Sequence, residues 1–419
     1  NTSDEEQQTG ALPVSTENNR KQILKKAAYN APVKIDVHSD YDLLKKIDFS
    51  RRSAKLSQSV MSTQSTVEEK TFTVYNHTIE KWYDYSYSIT ATLVHSGDYC
   101  NVWVENNELG KFTPEMAEKA ADEFDDKIYS TVREYFGEHL DIDNDEKVAL
   151  LYYDIDDGFV PGDDSYIAGF FLLDDLFDGK DMIRIDTYPS LAVNNNNNIL
   201  PKEECTYDVS NSFSTIAHEF QHLVNCTDFI LNYPNQEDFM ETWLDEALSM
   251  AAEDLIYGTL KDRIWQVEDG NSKIKNGVSL TEFKNELDNY ALSYLFGQYL
   301  RQQTADSENG GSFIFKKIID SNYYDYRAVE QALRDAGKSK TFDKFVTDFY
   351  LATHMKDENG IYGFYGKDGF DALNMPVYST TTGESIILPP YSAILVKLNG
   401  EFTPANHGSD VRFIGVNLR

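Results

Sequence analysis

The sequence predicts an α+β protein, with strands concentrated in its first half and helices in its second. Two observations carry that prediction. From about Thr71 to Glu105, and again at 148–153 and 182–186, short runs rich in Val, Ile, Thr and aromatics carry the strand pattern. Residues 212–365 instead show the three-to-four-residue spacing of helices. Length adds a third constraint: 419 residues exceed what one ordinary core encloses, so two or three domains are expected.

Residues 1–66 form the first region. Asn1 to Gly10 is polar without an apolar period, and 20–58 is locally basic, so this region is expected to be a flexible, solvated arm with a propeptide-like composition. The second region, 67–211, is strand-rich. Thr71-Phe-Thr-Val-Tyr75 and Tyr87-Ser-Ile-Thr-Ala-Thr-Leu-Val94 alternate, and Cys100-Asn-Val-Trp-Val-Glu105 follows a turn at Gly97. A helix is expected after Thr113, with Pro114 at its first position and Met116, Ala120, Phe124 and Ile128 on one face. Val148–Tyr153 reads as another strand and Met182–Asp186 as an edge strand, while the five-Asn run 194–198 reads as an exposed loop. The third region, 212–368, is helical, with helices expected at 312–321, 326–336 and 341–354 among others. The fourth, 369–419, is expected to be a small β domain, with Pro389-Pro390-Tyr391 leading into Ala393-Ile-Leu-Val-Lys-Leu.

Net charge is −32, from 70 acidic and 38 basic residues, which argues against a nucleic-acid partner. It suits an extracellular protein and offers oxygen ligands to hard cations. The longest apolar runs are too short to span a bilayer. Three cysteines (Cys100, Cys205, Cys226) allow one bridge and a free thiol, too few for a disulfide scaffold. The chain opens on Asn1, from which we expect a leader to have been removed.

The chemistry concentrates in His218-Glu219-Phe220-Gln221-His222. Phe213, Ile216, Ala217, Phe220, Leu223 and Val224 form an apolar stripe, so the stretch is helical on grounds independent of the motif. On a helix the two imidazoles share one face, one turn apart, where they can hold one ion, and Glu219 can reach a water bound to it. Catalytic zinc takes a third protein ligand and keeps one open position. Glu246, in Trp243-Leu-Asp-Glu-Ala-Leu-Ser-Met-Ala-Ala-Glu253, is one candidate. Asp228 is the other; it would complete His218-Glu-x-x-His-x-x-Asn225-x-x-Asp228, a metzincin-like pattern with Asn where Gly normally makes the turn.

Trp243-Leu-Asp-Glu-Ala resembles the Trp-Leu-Asn-Glu-Gly of gluzincin aminopeptidases, whose Glu is a zinc ligand. The stretches His218–Asn225 and Trp243–Asp254 resemble the hyicolysin-like peptidases, a family of secreted bacterial zinc metallopeptidases. Looser echoes are Tyr166-Ile-Ala-Gly-Phe-Phe and Phe136-Gly137; the resemblance covers about 70–365. It implies a gluzincin catalytic unit, with a mixed sheet and a helical lobe either side of a cleft, zinc on His218, His222 and Glu246, and Glu219 as general base. It also implies export. Tyr290, at the head of Tyr290-Ala-Leu-Ser-Tyr-Leu-Phe-Gly, resembles the gluzincin Tyr that donates to the oxyanion. Two departures stand out. Asp245 replaces the usual Asn, and Met250 stands where thermolysin-like enzymes place an Asp that orients a zinc-bound His, so another residue must do that work.

The expected activity is therefore zinc endopeptidase on a protein or peptide substrate, by a monomer with no membrane span. No Gly-x-Met-x-Asn segment for a free amine is present, which disfavours an aminopeptidase. The rivals are a binding protein that keeps a structural metal, and a zinc hydrolase of a non-peptide substrate. Retention of Glu219 opposes the first, since a structural site needs no base and closes its fourth position. Asp141, Asp143 and Asp145 fall at the first, third and fifth positions of a calcium loop, although Glu146 replaces its Gly and Tyr152 its twelfth-position Glu. The acidic cluster at 154–164 reads as a solvated loop, and His139, like the other remaining histidines, has no partner spacing.

Overall fold

The computed structural model describes residues 33–36 and 68–415, apart from 79–81, 164, 194–198, 233–238, 309, 371–372, 379–385, 398–407 and 409; for 33–36 and 228–232 it describes the backbone alone. A seven-stranded mixed sheet is built from β1 (Val33–Asp36), β2 (Glu69–Tyr75), β3 (Ser86–Ser96), β4 (Cys100–Glu105), β5 (Val148–Tyr153), β6 (Ser165–Phe171) and β7 (Met182–Asp186), in the order β1-β6-β7-β5-β4-β3-β2. Antiparallel β2, β3 and β4 need only short turns. The last of these closes at Gly97, where a Cβ would lie 2.3 Å from the Asp125 carboxylate that accepts the amide of Tyr99 at 2.9 Å. β5 runs parallel to β4, so the chain must cross over, and it does so through α1 (Pro114–Glu123), a π turn at Phe124–Ile128 and α2 (Tyr129–Tyr135). As expected, α1 starts with Pro114, and the Thr113 side chain caps it by accepting the Met116 amide.

β7 corrects one expectation. It is interior, paired with β5 on one side and β6 on the other, and all five of its residues are buried. Inside, Arg184 is paired by both guanidinium nitrogens to Asp175, in α3 (Leu173–Phe177), and donates to the carbonyl of Thr73 at 3.3 Å. A buried charge so matched is tolerable where a lone one is not.

β1 corrects a second. Part of the expected flexible arm, Val33–Asp36, pairs in parallel with β6 and takes the sheet edge. Of the segment expected to be a C-terminal β domain, the described residues beyond 368 show no strand, only an isolated bridge between Tyr378 and Val396. Alternation in the sequence gives a strand no partner. These residues instead lie on the helices, with Phe370, Leu373 and Met375 in their core and the Tyr391 carbonyl accepting from the Tyr350 hydroxyl at 2.9 Å.

The helical half comprises α4 (Phe213–Asn232), α5 (Thr242–Tyr257), α6 (Lys261–Glu268), α7 (Leu287–Gln303), α8 (Phe313–Ile319), α9 (Tyr326–Asp335) and α10 (Phe342–Met355). From Trp243 to Ala252 every residue of α5 is buried, the pattern of a helix enclosed on all sides. It packs on both α4 and α7. α4 in turn packs on the sheet at Gly169 of β6, where a Cβ would stand 2.7 Å from the Thr215 methyl and 3.6 Å from Cγ of Glu219. Only glycine admits this approach, and it sets the motif helix against the sheet. The three cysteines are free and buried. No helix among the described residues is long and apolar enough to cross a membrane.

Candidate metal centre

His218 and His222 stand on successive turns of α4 with ring centroids 4.8 Å apart. Glu246 reaches them from α5, its Oε2 lying 3.3 Å from Nε2 of His218. One donor atom from each of the three lies within 4.8 Å of the others, and all three side chains are buried. Two imidazoles and a carboxylate form the donor set of a catalytic zinc with its fourth position open, so the residues fit that ion. Glu219, 1% exposed, follows His218 directly on α4.

The alternative third ligand fares differently. A metzincin-like site needs a turn at Asn225, yet α4 continues unbroken to Asn232. Asn225 remains helical and donates to Asp245 Oδ1 at 2.5 Å. The side chain of Asp228 lies outside the described residues.

Both imidazoles are held from behind. Nδ1 of His218 is 2.7 Å from Glu253 Oε1, and the Ser214 hydroxyl donates to the other oxygen of that carboxylate. This pairing puts the ring proton on Nδ1 and leaves Nε2 for a metal. His222 Nδ1 is 3.2 Å from Asp245 Oδ1 and 3.0 Å from the Ser249 hydroxyl, which donates to Gln221 at 2.5 Å. Burial pulls the His218 pKa down, but Glu246 and Glu253 outweigh it and hold it well above the usual imidazole range. Burial pushes Glu253 up, and the His218 pairing with the Ser214 hydrogen bond brings it below the usual carboxylate value. The pocket is thus built to hold positive charge between its carboxylates.

Tyr290 sits near the start of α7, with its hydroxyl donating to Asn285 Oδ1 at 2.7 Å. Its ring meets Phe283 edge-on, and the guanidinium of Arg263 lies 5.3 Å from its centroid. Arg263, buried in α6, also lowers the Glu253 pKa. Sequence reasoning missed Arg263 and Ser214, which belong to no motif, and gave no role to Ser249, although it lies within the Trp243–Glu253 stretch.

The aspartate loop forms a second cluster. Asp141, Asp143 and Asp145 bring donor atoms within 4.8 Å of one another. Burial and the neighbouring Asp145 push Asp143 up to about 6. Asp181, just before β7, is pushed up to about 8 by burial and then by Asp143, with Asp145 and Asp141 adding to it. In the 154–164 cluster, by contrast, Asp157 accepts the amides of Phe159 and Ile167, each at 2.8 Å, and Asp154 pairs with Lys202 at 2.6 Å.

No family model matches the chain. It is, however, 34% identical over 330 residues to the neutral metalloprotease ShpI of Staphylococcus hyicus, across 77% of this chain and 70% of that protein. The chain belongs to the hyicolysin-like bacterial metallopeptidases.

Within this metallopeptidase the departure at Met250 acquires a physical explanation. Met250 is fully buried and apolar, and Glu253 carries the hydrogen bond to His218. Glu253→Ala should therefore weaken zinc binding by roughly 10–100-fold. Competition against a chromophoric chelator measures this; unchanged zinc affinity would deny Glu253 that role.

Proposed function

We propose that this metallopeptidase is a zinc-dependent endopeptidase in which Glu219 is the general base and Tyr290 the oxyanion donor. The observation that carries this reading is the convergence of His218, His222 and Glu246 from two helices, with Glu219 beside them. Bound there, zinc supplies Lewis acidity and lowers the pKa of a coordinated water toward neutrality. Glu219 takes the proton of the attacking water and delivers it to the leaving amine. The Tyr290 hydroxyl donates to the carbonyl oxygen as it gains charge. Glu253 and Asp245 hold the imidazoles in orientation throughout.

The same reading makes 67–368 a gluzincin catalytic unit, with the sheet on one side of the cleft and the helical lobe on the other. The lack of a Gly-x-Met-x-Asn segment supports internal cleavage over amine-terminal trimming. Net charge of −32 supports an extracellular setting for a monomer acting on protein. The decisive measurement is metal content together with casein hydrolysis, with and without a zinc chelator. Hydrolysis should disappear on chelation and return with zinc; zinc-loaded protein that hydrolyses no protein would overturn the proposal.

A further inference from the structure

We propose that β1 is an internal competitor of the substrate: it occupies the edge of β6 along which an extended peptide would reach the zinc site. This inference rests on the endopeptidase reading given above.

Without β1, β6 would be the outermost strand of the sheet, since its other neighbour is β7. An outermost strand presents a row of unpaired N–H and C=O groups, and an extended peptide is captured by adding to such a row. β6 is also a strand on which the motif helix lies. A Cβ at its Gly169 would stand 3.6 Å from Cγ of Glu219, so a peptide added to β6 at that point passes beside the general base.

The arm already lies there. It runs parallel to β6, with Val33 opposite Ser165, Lys34 opposite Tyr166, Ile35 opposite Ile167 and, after a shift in register, Asp36 opposite Gly169. Paired strands are about 4.8 Å apart, so the backbone at Asp36 passes within a side chain's length of the glycine that faces Glu219. Main-chain groups of β6 engaged by the arm cannot engage a substrate. Arm and substrate therefore exclude each other.

Composition and length set how firmly the arm holds. Residues 20–58 carry ten basic and four acidic residues, in a chain of net charge −32. A basic segment is drawn to an acidic body, and its covalent attachment keeps it at high effective concentration. Against this, the pairing covers only four residues, shorter than the usual strand of about five or six, and such an edge opens readily. The balance is an arm that lowers activity without abolishing it, and whose hold weakens as salt screens the attraction.

The test compares the full zinc-loaded chain with its Lys34→Pro/Ile35→Pro double variant. Alternate amides of a strand face the same neighbour, so one of two adjacent prolines removes an N–H directed at β6, whichever it is. With a neutral, blocked fluorogenic peptide, KM should fall by roughly tenfold or more and kcat should not change. A competitor reduces the fraction of binding-competent protein, not the rate of the chemistry. Lys34→Ala/Ile35→Ala keeps both amides and should stay near the parent KM. Added salt should lower the parent KM and leave that of the proline variant where it is. Hydrogen exchange at 165–169, which needs no hydrolysis, should be slow in the parent and fast in the proline variant. Unchanged KM in the proline variant would overturn the proposal; faster exchange beside that unchanged KM would make β1 a sheet edge and nothing more. Zinc-loaded protein that cleaves no peptide in any form overturns the endopeptidase reading instead, and this inference with it.

Discussion

Glu219→Gln is expected to abolish peptide hydrolysis while leaving zinc in place. The amide cannot take a proton from the attacking water, so the loss should reach roughly 10²–10⁴-fold in kcat, the range attributed to a positioned general base. The substitution is nearly isosteric, which matters at this position. Glu219 is 1% exposed and packs where α4 approaches Gly169, so a larger or smaller side chain would disturb the helix that holds the ligands. Gln leaves His218, His222 and Glu246 untouched, and metal analysis of the purified variant should return the parent zinc content. Parent-like kcat in that zinc-loaded variant would remove Glu219 from the mechanism; loss of zinc together with activity would make it a structural residue instead.

How much of this was legible in the sequence follows the range of the interactions involved. The four-residue spacing of His218 and His222 is a property of one helix, and a helix is what the apolar stripe around them dictates. Glu246 was legible because Trp243–Asp254 is itself one buried helix with a distinctive order of residues. The strands from β2 to β5 were legible for the same reason, since each carries its own pattern. What depends on another part of the chain was not. Glu253 was legible as an acidic position of the Trp-Leu-Asn-Glu-Gly pattern, but that it holds His218 in place of the residue missing at Met250 depends on how α5 turns against α4. β7 read as an edge strand, and nothing local announces that Asp175 neutralises Arg184 inside the sheet. β6 was read only as the stretch Tyr166-Ile-Ala-Gly-Phe-Phe that echoes the family, not as a strand, although its Gly169 sets the separation between sheet and α4.

Tyr290→Phe should lower kcat by roughly 10²–10³-fold, the loss found for a single oxyanion donor. KM should barely move, because an interaction made only as charge develops contributes little to ground-state binding. Phe preserves the ring between Phe283 and the Arg263 guanidinium, so the surrounding packing should survive. The variant does lose the hydrogen bond to Asn285, a loss of about 0.5–1.5 kcal/mol in stability, visible as a small fall in Tm. That second effect is the reason to measure both quantities. If the hydroxyl serves only to pin Asn285, whose backbone is held at φ +55° just before α7, Tm will fall and kcat will not. If it serves the reaction, kcat falls far beyond what the stability change accounts for, with zinc content unchanged. The two roles are compatible in one hydroxyl: the bond to Asn285 fixes the phenol while the site is empty of substrate, and an incoming carbonyl oxygen competes for the same proton as it becomes the stronger acceptor.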